Sequence, residues 1–323
     1  MVRIAREIAS VGLSGLVVFR AGLWKPRTSP ETFQGVGDVG LKWLQWVKEE
    51  TGLPVATEVS TPEQVHKALE AGIDYLWIGA RTSANPIQVQ ALADAMREKQ
   101  PKGVFVKNPV NEDAALWIGD IQRMLAVTGC GLAVYAVHRG CGHKPCWEMA
   151  YKLRQELPEV PLLLDPSHMS GNASQVATLC AVGRELEYNG LMIEVHDKPE
   201  EALSDAKQQI TPRELDRFAD RIQTADADSI QNSPLELRWM RRMMDEVDDA
   251  LWETIARRME VSKQIGEYKH REGIAVVQPT RFEEILSKRL HWARERGLSE
   301  EVVREVMEAL HTESVNRQLN VKS

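Results

Sequence analysis

Seven short apolar runs recur along the first two thirds of the chain, and helical stretches separate them. This alternation restricts the fold more than any other feature. The runs cover residues 16–20, 54–59, 75–80, 103–107, 132–138, 160–165 and 190–196. Helical periodicity lies between them, as over 38–51, 61–71, 86–99 and 113–127. Strands that are apolar nearly throughout, with helices between them, predict a parallel sheet buried on both faces.

Nearly every run ends in a charged or polar residue: Arg20, Glu58, Arg81, Lys107, the pair His138 and Arg139, Asp165 and Glu194. A doubly wound open sheet would gather its site at one switch point. A (β/α)8 barrel, the TIM barrel, uses the carboxyl ends of all its strands. The barrel is therefore the expected α/β fold. Seven runs are one short of eight, and the chain opens in a helix-like stretch over 2–10. The first strand is expected upstream of residue 1.

The pattern changes near residue 222. The stretch 1–222 is expected to form the barrel, and the small, polar, acidic 223–234 a linker. Residues 235–323 are expected to form an all-helical domain. Its helices are expected over 235–271, 281–296 and 299–318. One long helix with two shorter ones cannot easily bury its apolar stripe alone, so a homodimer through this domain is expected.

The net charge of −7, with no basic tail, argues against nucleic acid as a partner. No apolar run reaches the roughly 18 residues that would cross a bilayer, and no signal-peptide core opens the chain. A cytoplasmic protein without a membrane partner is expected. The cysteines are Cys130, Cys141, Cys146 and Cys180. The spacing His138-x2-Cys141-x-His143-x2-Cys146 suggests a metal clip, but zinc sites usually pair ligands across a larger loop. Reduced loop cysteines are the better reading.

The strand ends and the loop "GLWKPRTSPETFQG" at 22–35 supply Arg20, Lys25, Arg27, Arg81, Lys107 and Arg139. On an acidic protein these could be scattered surface charge. Their regular placement instead predicts a cationic barrel mouth suited to a small, multiply anionic substrate. His168, Glu194 and Asp205 come from "DPSH", "MIEVH" and "ALSDAKQ". An imidazole and two carboxylates on neighbouring loops predict a divalent-metal site. Pro26 and Pro30 would stiffen the loop that carries Lys25, Arg27 and Thr28.

The segments "FRAGLWKPRTSPETFQG", "TEV", "IGARTSANP", "VKNP", "HRG", "DPSHMSG" and "EVHDKPEEALSDAKQQ" occur in order over residues 1–222. They resemble the type I (β subgroup) 3-deoxy-D-arabino-heptulosonate 7-phosphate (DAHP) synthases. The resemblance implies a metal-dependent barrel that condenses phosphoenolpyruvate with erythrose 4-phosphate. Arg81 and Arg139 would hold the phosphoenolpyruvate phosphate, with Ala80 beside them. Arg20, Lys25 and Lys107 would hold its carboxylate side, and Glu58 would line the pocket. Arg27 and Thr28 would bind erythrose 4-phosphate, and Lys25 is the candidate proton donor. His168, Glu194 and Asp205 match three of four ligands of a divalent ion, with manganese expected. The family's fourth ligand is a cysteine in a Gly-Pro-Cys context after the first strand, and no such motif stands here.

The expected long helix carries Arg241, Arg258 and Lys269. Eleven positions put Arg258 and Lys269 within about 20° of each other. Seventeen positions displace Arg241 from Arg258 by about 26 Å, so a shared pocket needs a partner chain. A solvated charged helix is the plainer reading. "LRWMRRMMDEVDDALWETIARRMEVSKQIGEYK", "QPTR" and "HTESVNRQ" over about 235–318 resemble the AroQ-type chorismate mutases, intertwined helical dimers. The resemblance implies a pocket of Arg258, Lys269, Gln278, Arg281, Ser314 and Gln318, with Arg241 from the other protomer. There chorismate would rearrange to prephenate, with Arg258, Lys269 and Gln318 as catalytic residues. Phe282 departs from the family, which usually has glutamate after the pocket arginine, and Gln278 stands where some members carry aspartate.

Together these features predict a bifunctional shikimate-pathway enzyme under feedback by prephenate or chorismate. Two alternatives stay open. The helical domain could serve mainly as a ligand-binding and dimerising regulatory module, or the barrel could take another sugar phosphate such as arabinose 5-phosphate.

Overall fold

The register of the central strands follows from what their side chains must do on two faces. The computed structural model describes residues 1–27, 29, 31–127, 132–224 and 233–320. Thr28, Cys130 and most of the expected linker lie outside the described residues. Strands β1 (Phe19–Arg20), β2 (Val55–Glu58), β3 (Tyr75–Ile78), β4 (Gly103–Lys107), β5 (Ala133–His138), β6 (Leu162–Leu164) and β7 (Gly190–Leu191) pair in chain order, every pair parallel. Helices α1 (Val2–Ser10), α2 (Val39–Thr51), α3 (Pro62–Glu70), α4 (Pro86–Glu98), α5 (Ala114–Val127), α6 (Trp147–Glu156), α7 (Pro166–Ser170), α8 (Ala173–Glu185) and α9 (Pro212–Thr224) complete the barrel unit.

Alternation sorts the strand residues. Leu76, Ile78, Val104, Val106, Ala136, Leu162 and Leu164 face the helices and join the main core. Tyr75, Trp77, Phe105 and Val137 form a second, inner cluster. Period-two geometry requires this split. Tyr75, Phe105 and Tyr135 form an aromatic layer with ring centroids 5.6 and 5.0 Å apart. Gly103 makes room for it: a Cβ there would lie 2.9 Å from the Tyr75 ring and 3.0 Å from that of Tyr135.

Local signals set the helix starts. Thr61 caps α3 and Asn85 caps α4, each followed by proline at the first helical position. The fold is the expected barrel class, with β1 and β7 at the two ends of the strand order. An apolar cavity of about 1230 Å³ is lined from both end strands, by Phe19 and Leu191 among others.

The chain divides into two compact units, Met1–Met244 and Asp245–Ser323. Helix α10 (Leu235–Arg271) begins in the first, where Trp239 is 1% exposed. The second unit contains the rest of α10 with α11 (Pro279–Glu295) and α12 (Glu300–Leu319). Met259, Ser262, Ala293 and Ser314 are buried within it.

Candidate active site

Every described barrel residue expected at the site lines one cavity of about 240 Å³. They are Arg20, Lys25, Arg27, Glu58, Ala80, Arg81, Lys107, Arg139, His168, Glu194 and Asp205. The cavity lies at the carboxyl ends of the strands, because β1 ends in Arg20, β2 in Glu58 and β4 in Lys107. Six cations face three carboxylates and one imidazole there.

Asp165 organises the deepest part. It follows β6, has zero exposure and caps α7 by accepting the His168 backbone N–H. Its carboxylate also accepts from Lys107 Nζ at 2.7 Å and contacts His168 Nδ1 at 3.0 Å. Burial alone would raise its pKa, but the charges of His168 and Lys107 outweigh that and hold it well below the usual carboxylate range. With Nδ1 taken by Asp165, His168 Nε2 faces Glu194 Oε1 at 3.7 Å.

Glu194 accepts from Arg20 Nη2 at 3.2 Å and from Gln208 Nε2 at 2.8 Å. Burial opposes its ionisation, yet His168 and Arg20 hold its pKa below the ordinary value. The Arg20 guanidinium also lies over the Trp77 ring, 5.1 Å from its centroid. Burial raises the Glu58 pKa against the pull of Lys107 and Arg20.

The loop at 22–35 is folded by its own backbone. Lys25 N–H donates to Gln34 O at 2.8 Å, and Gly37 N–H to Leu23 O at 2.8 Å. Gly35 has φ +96°, and a Cβ there would sit 2.1 Å from Leu23 O. This close return presents Lys25 and Arg27 to Asp205, at 3.5 and 3.4 Å from its Oδ2. Lys25 Nζ also donates to Ser204 Oγ at 2.6 Å. Asp205 itself has φ +57°, a strained conformation for a residue other than glycine. Burial would raise its pKa, but Lys25 and Arg27 keep it low.

The donors expected for a divalent ion thus share one cavity without forming one cluster. His168 and Glu194 approach each other, while Asp205 engages the two loop cations. Among the described residues, no three His, Cys, Asp or Glu side chains stand close enough together to hold an ion as they are. The donor chemistry nevertheless fits one. A carboxylate-bound Nδ1 leaves Nε2 as the imidazole nitrogen facing the cavity and Glu194, and a carboxylate on the far nitrogen is what fixes the ring of a ligating histidine. The His138, Cys141, His143 and Cys146 side chains go elsewhere. His138 contacts Tyr188, Cys141 lies 3.4 Å from Met149 Sδ, and His143 Nδ1 contacts His168 O.

In the second unit Arg258, Ser314 and Gln318 come together. Arg258 Nη1 donates to Leu310 O at 3.0 Å and also to Ser314 Oγ. Ser262 Oγ donates to Ser314 O at 3.2 Å and accepts from Gln318 Nε2 at 3.1 Å. Lys269 Nζ donates to Val276 O at 2.7 Å. Arg281 is exposed and pairs with Glu284 at 3.1 Å, and Gln278 is exposed at the start of α11. Phe282 stacks on His311 with centroids 4.1 Å apart. Arg241 is exposed within the first unit.

The organising roles of Asp165, Asn108, Ser204 and Gln208 are not legible in the sequence. In the sequence Asp165 reads as a strand end, and it stands in DPSH beside the histidine it orients. Asn108 stands in VKNP, where its Oδ1 accepts from Arg139 N–H at 2.7 Å.

A parallel barrel whose strand ends ring a cationic cavity defines a scaffold for handling small anions. The chain belongs to the DAHP synthetase I family, whose model matches residues 1–231. Residues 240–319 match the chorismate mutase type II model, so the chain joins two family segments. Phospho-2-dehydro-3-deoxyheptonate aldolase of Thermotoga maritima is 30% identical over 209 residues, 61% of this chain. The chain spans 57% of that relative's length. A 2-dehydro-3-deoxyphosphooctonate aldolase of Synechococcus is 27% identical over 244 residues, covering 69% of this chain and 82% of that protein. A 4-amino-4-deoxychorismate mutase of Streptomyces venezuelae is 30% identical over 78 residues, 24% of this chain and 76% of its own. The crystal structure of DAHP synthase from Thermotoga maritima superposes with a TM-score of 0.58 at 25% identity, covering 69% of this chain and 64% of that one.

Proposed function

We propose that the barrel condenses phosphoenolpyruvate with erythrose 4-phosphate, giving DAHP and phosphate, and that the helical unit rearranges chorismate to prephenate. The observation that carries the first half is the convergence of six cations on one small cavity at the strand ends. Arg81 and Arg139 clamp the phosphoenolpyruvate phosphate, and Arg20, Lys25 and Lys107 hold its carboxylate side. Arg27, with Thr28, binds the sugar phosphate. Neutralising two anions that repel each other lets C3 of one approach the aldehyde carbon C1 of the other. The new C–C bond forms there, and the aldehyde oxygen takes a proton for which Lys25 is the candidate donor. Water then adds at C2, and the C2–O bond to phosphate breaks. His168, Glu194 and Asp205 would hold a divalent ion, with manganese expected. When bound, that ion polarises the aldehyde oxygen as a Lewis acid.

In the helical unit Arg258 binds a carboxylate, while Lys269 and Gln318 stabilise charge on the ether oxygen. The linked Arg258, Ser314 and Gln318 network supports this reading. The exposed Val247, Leu251, Trp252, Val261 and Ile265 support a homodimer through the unit, with Arg241 supplied across it. Prephenate or chorismate bound there regulates the barrel. No helix among the described residues is long and apolar enough to cross a membrane, which is compatible with a cytoplasmic site of action.

A second reading of the barrel has its own observation, since 2-dehydro-3-deoxyphosphooctonate aldolases cover 82% and 81% of their own lengths in matching this chain. It replaces erythrose 4-phosphate with arabinose 5-phosphate. Phosphate release is therefore measured with both aldoses, after chelation and after manganese is restored. Faster turnover of erythrose 4-phosphate, dependent on the ion, is expected. Preference for arabinose 5-phosphate selects the second reading, and turnover of neither overturns both. Disappearance of chorismate absorbance tests the helical unit, and its absence leaves a regulatory module.

A further inference from the structure

The first turns of α10 reach the barrel at the tight connection between α8 and β7. Arg238 donates to Glu185 O and pairs with Glu187, and Arg242 pairs with Glu185. Glu187 has φ +56°, so this turn is strained and fixed by two arginines. Between those arginines Trp239 enters the barrel unit. Its ring lies 5.6 Å from that of Tyr188 and 6.2 Å from that of Trp147. Its buried indole N–H has no hydrogen-bond partner among the described residues. The position therefore uses the shape of the ring and not its polar atom.

Tyr188 passes the contact inward. Its hydroxyl meets His138 Nδ1 at 2.8 Å, and the two rings stack at 6.2 Å with 7° between their planes. His138 has zero exposure and ends β5. Its carbonyl accepts from Asp165 N–H at 2.8 Å, and the next residue is Arg139. A displacement of His138 therefore moves both the phosphate-clamping arginine and the carboxylate that orients Lys107 and His168.

We infer that Trp239 and Tyr188 are positioning residues for the barrel cavity: they hold His138, and through it the end of β5 that presents Arg139. The inference rests on the reading that Arg139 binds the phosphoenolpyruvate phosphate. It gives the opening of α10 a role in the barrel reaction beside its role in the helical unit.

The test uses the full chain and titration calorimetry with phosphoenolpyruvate, so that affinity is read without turnover. Tyr188→Phe removes one hydroxyl, and Trp239→Ala removes the ring that backs it. Each is expected to weaken binding about fivefold, the consequence of a small misplacement of a clamping group. Trp239→Phe is expected to stay within about twofold of the unaltered chain, because it keeps an aromatic ring against Tyr188 and drops only the unpartnered N–H and part of the ring. In turnover, KM for phosphoenolpyruvate is expected to rise with kcat nearly unchanged. A purely structural role would lower the unfolding temperature and leave affinity alone. Unchanged affinity in Tyr188→Phe, or equal loss in Trp239→Phe and Trp239→Ala, overturns the inference. If Trp239→Ala does not fold, Tyr188→Phe and Trp239→Phe still decide it. An unaltered chain that binds no phosphoenolpyruvate overturns the functional reading and this inference together.

Discussion

Asp165→Asn should destabilise the barrel unit far more than a one-atom change suggests. The side chains of Lys107 and Asp165 are 5% and 0% exposed, and they meet at 2.7 Å. The amide keeps an oxygen that can cap α7 and receive the His168 ring, so those contacts survive. What disappears is the negative charge beside a buried ammonium. Leaving such a charge uncompensated costs about 3–5 kcal/mol. A unit of this size loses roughly 2–4 °C per kcal/mol, so the lower bound alone moves its unfolding by about 6–12 °C. Scanning calorimetry of the full chain reads that shift. The double variant Lys107→Met, Asp165→Asn removes the stranded charge. It should recover most of the loss, so the two substitutions are far from additive in the double-mutant cycle. A shift of Asp165→Asn below about 1 °C, or a double variant no more stable than the single one, refutes the account of a charge-compensated pair.

Gly35→Ala forces a side chain against Leu23 O at positive φ, and it should lose about 1–3 kcal/mol in urea unfolding while weakening sugar phosphate binding. Arg139→Ala should weaken phosphoenolpyruvate about 10- to 100-fold by calorimetry, the range for one charge-assisted hydrogen bond. Arg258→Lys loses the planar guanidinium whose Nη1 meets both Leu310 O and Ser314 Oγ, and chorismate consumption should fall about 100-fold with unchanged circular dichroism. Burial pushes the His138 pKa down to about 3, against about 6.5 in an unfolded chain. Below pH 6.5 the unfolded chain takes up a proton that the folded one refuses, so stability falls as pH drops, by up to about 1.4 kcal/mol per unit. Urea unfolding of His138→Gln between pH 7.5 and 4.5 should lack that component.

The residues that ended apolar runs were legible, and so was most of the cavity wall. Strand β4 was readable residue for residue as 103–107, since strands on both sides hold it. The expected strands at 16–20 and 190–196 shrink to Phe19–Arg20 and Gly190–Leu191. Each of these stands at an end of the strand order, where one ladder is missing. The role of Asp165 was not legible, because its partner Lys107 lies 58 positions away and is reached through the register of β4, β5 and β6. Periodicity likewise reads 235–271 as one helix and is silent on where its faces dock. Only the packed structure shows Trp239 buried among barrel side chains.

The pairing inside the cavity gives the proposed chemistry an order. Glu194 engages Arg20, and Asp205 engages Lys25 and Arg27. With Lys107 on the buried Asp165, four of the six cations therefore already have carboxylate partners, and three of those four are held by Glu194 and Asp205. An anionic substrate that takes those cations does not simply add ion pairs, since it replaces ones already formed. The exchange sets free Glu194 and Asp205, two of the three side chains proposed to hold the divalent ion. The third, His168, is kept in place by Asp165 and takes no part in the exchange. Anion and cation thus compete for no group and relieve each other's electrostatic penalty. Whatever factor one gains from the other must be returned equally, because coupling between two binding equilibria is reciprocal.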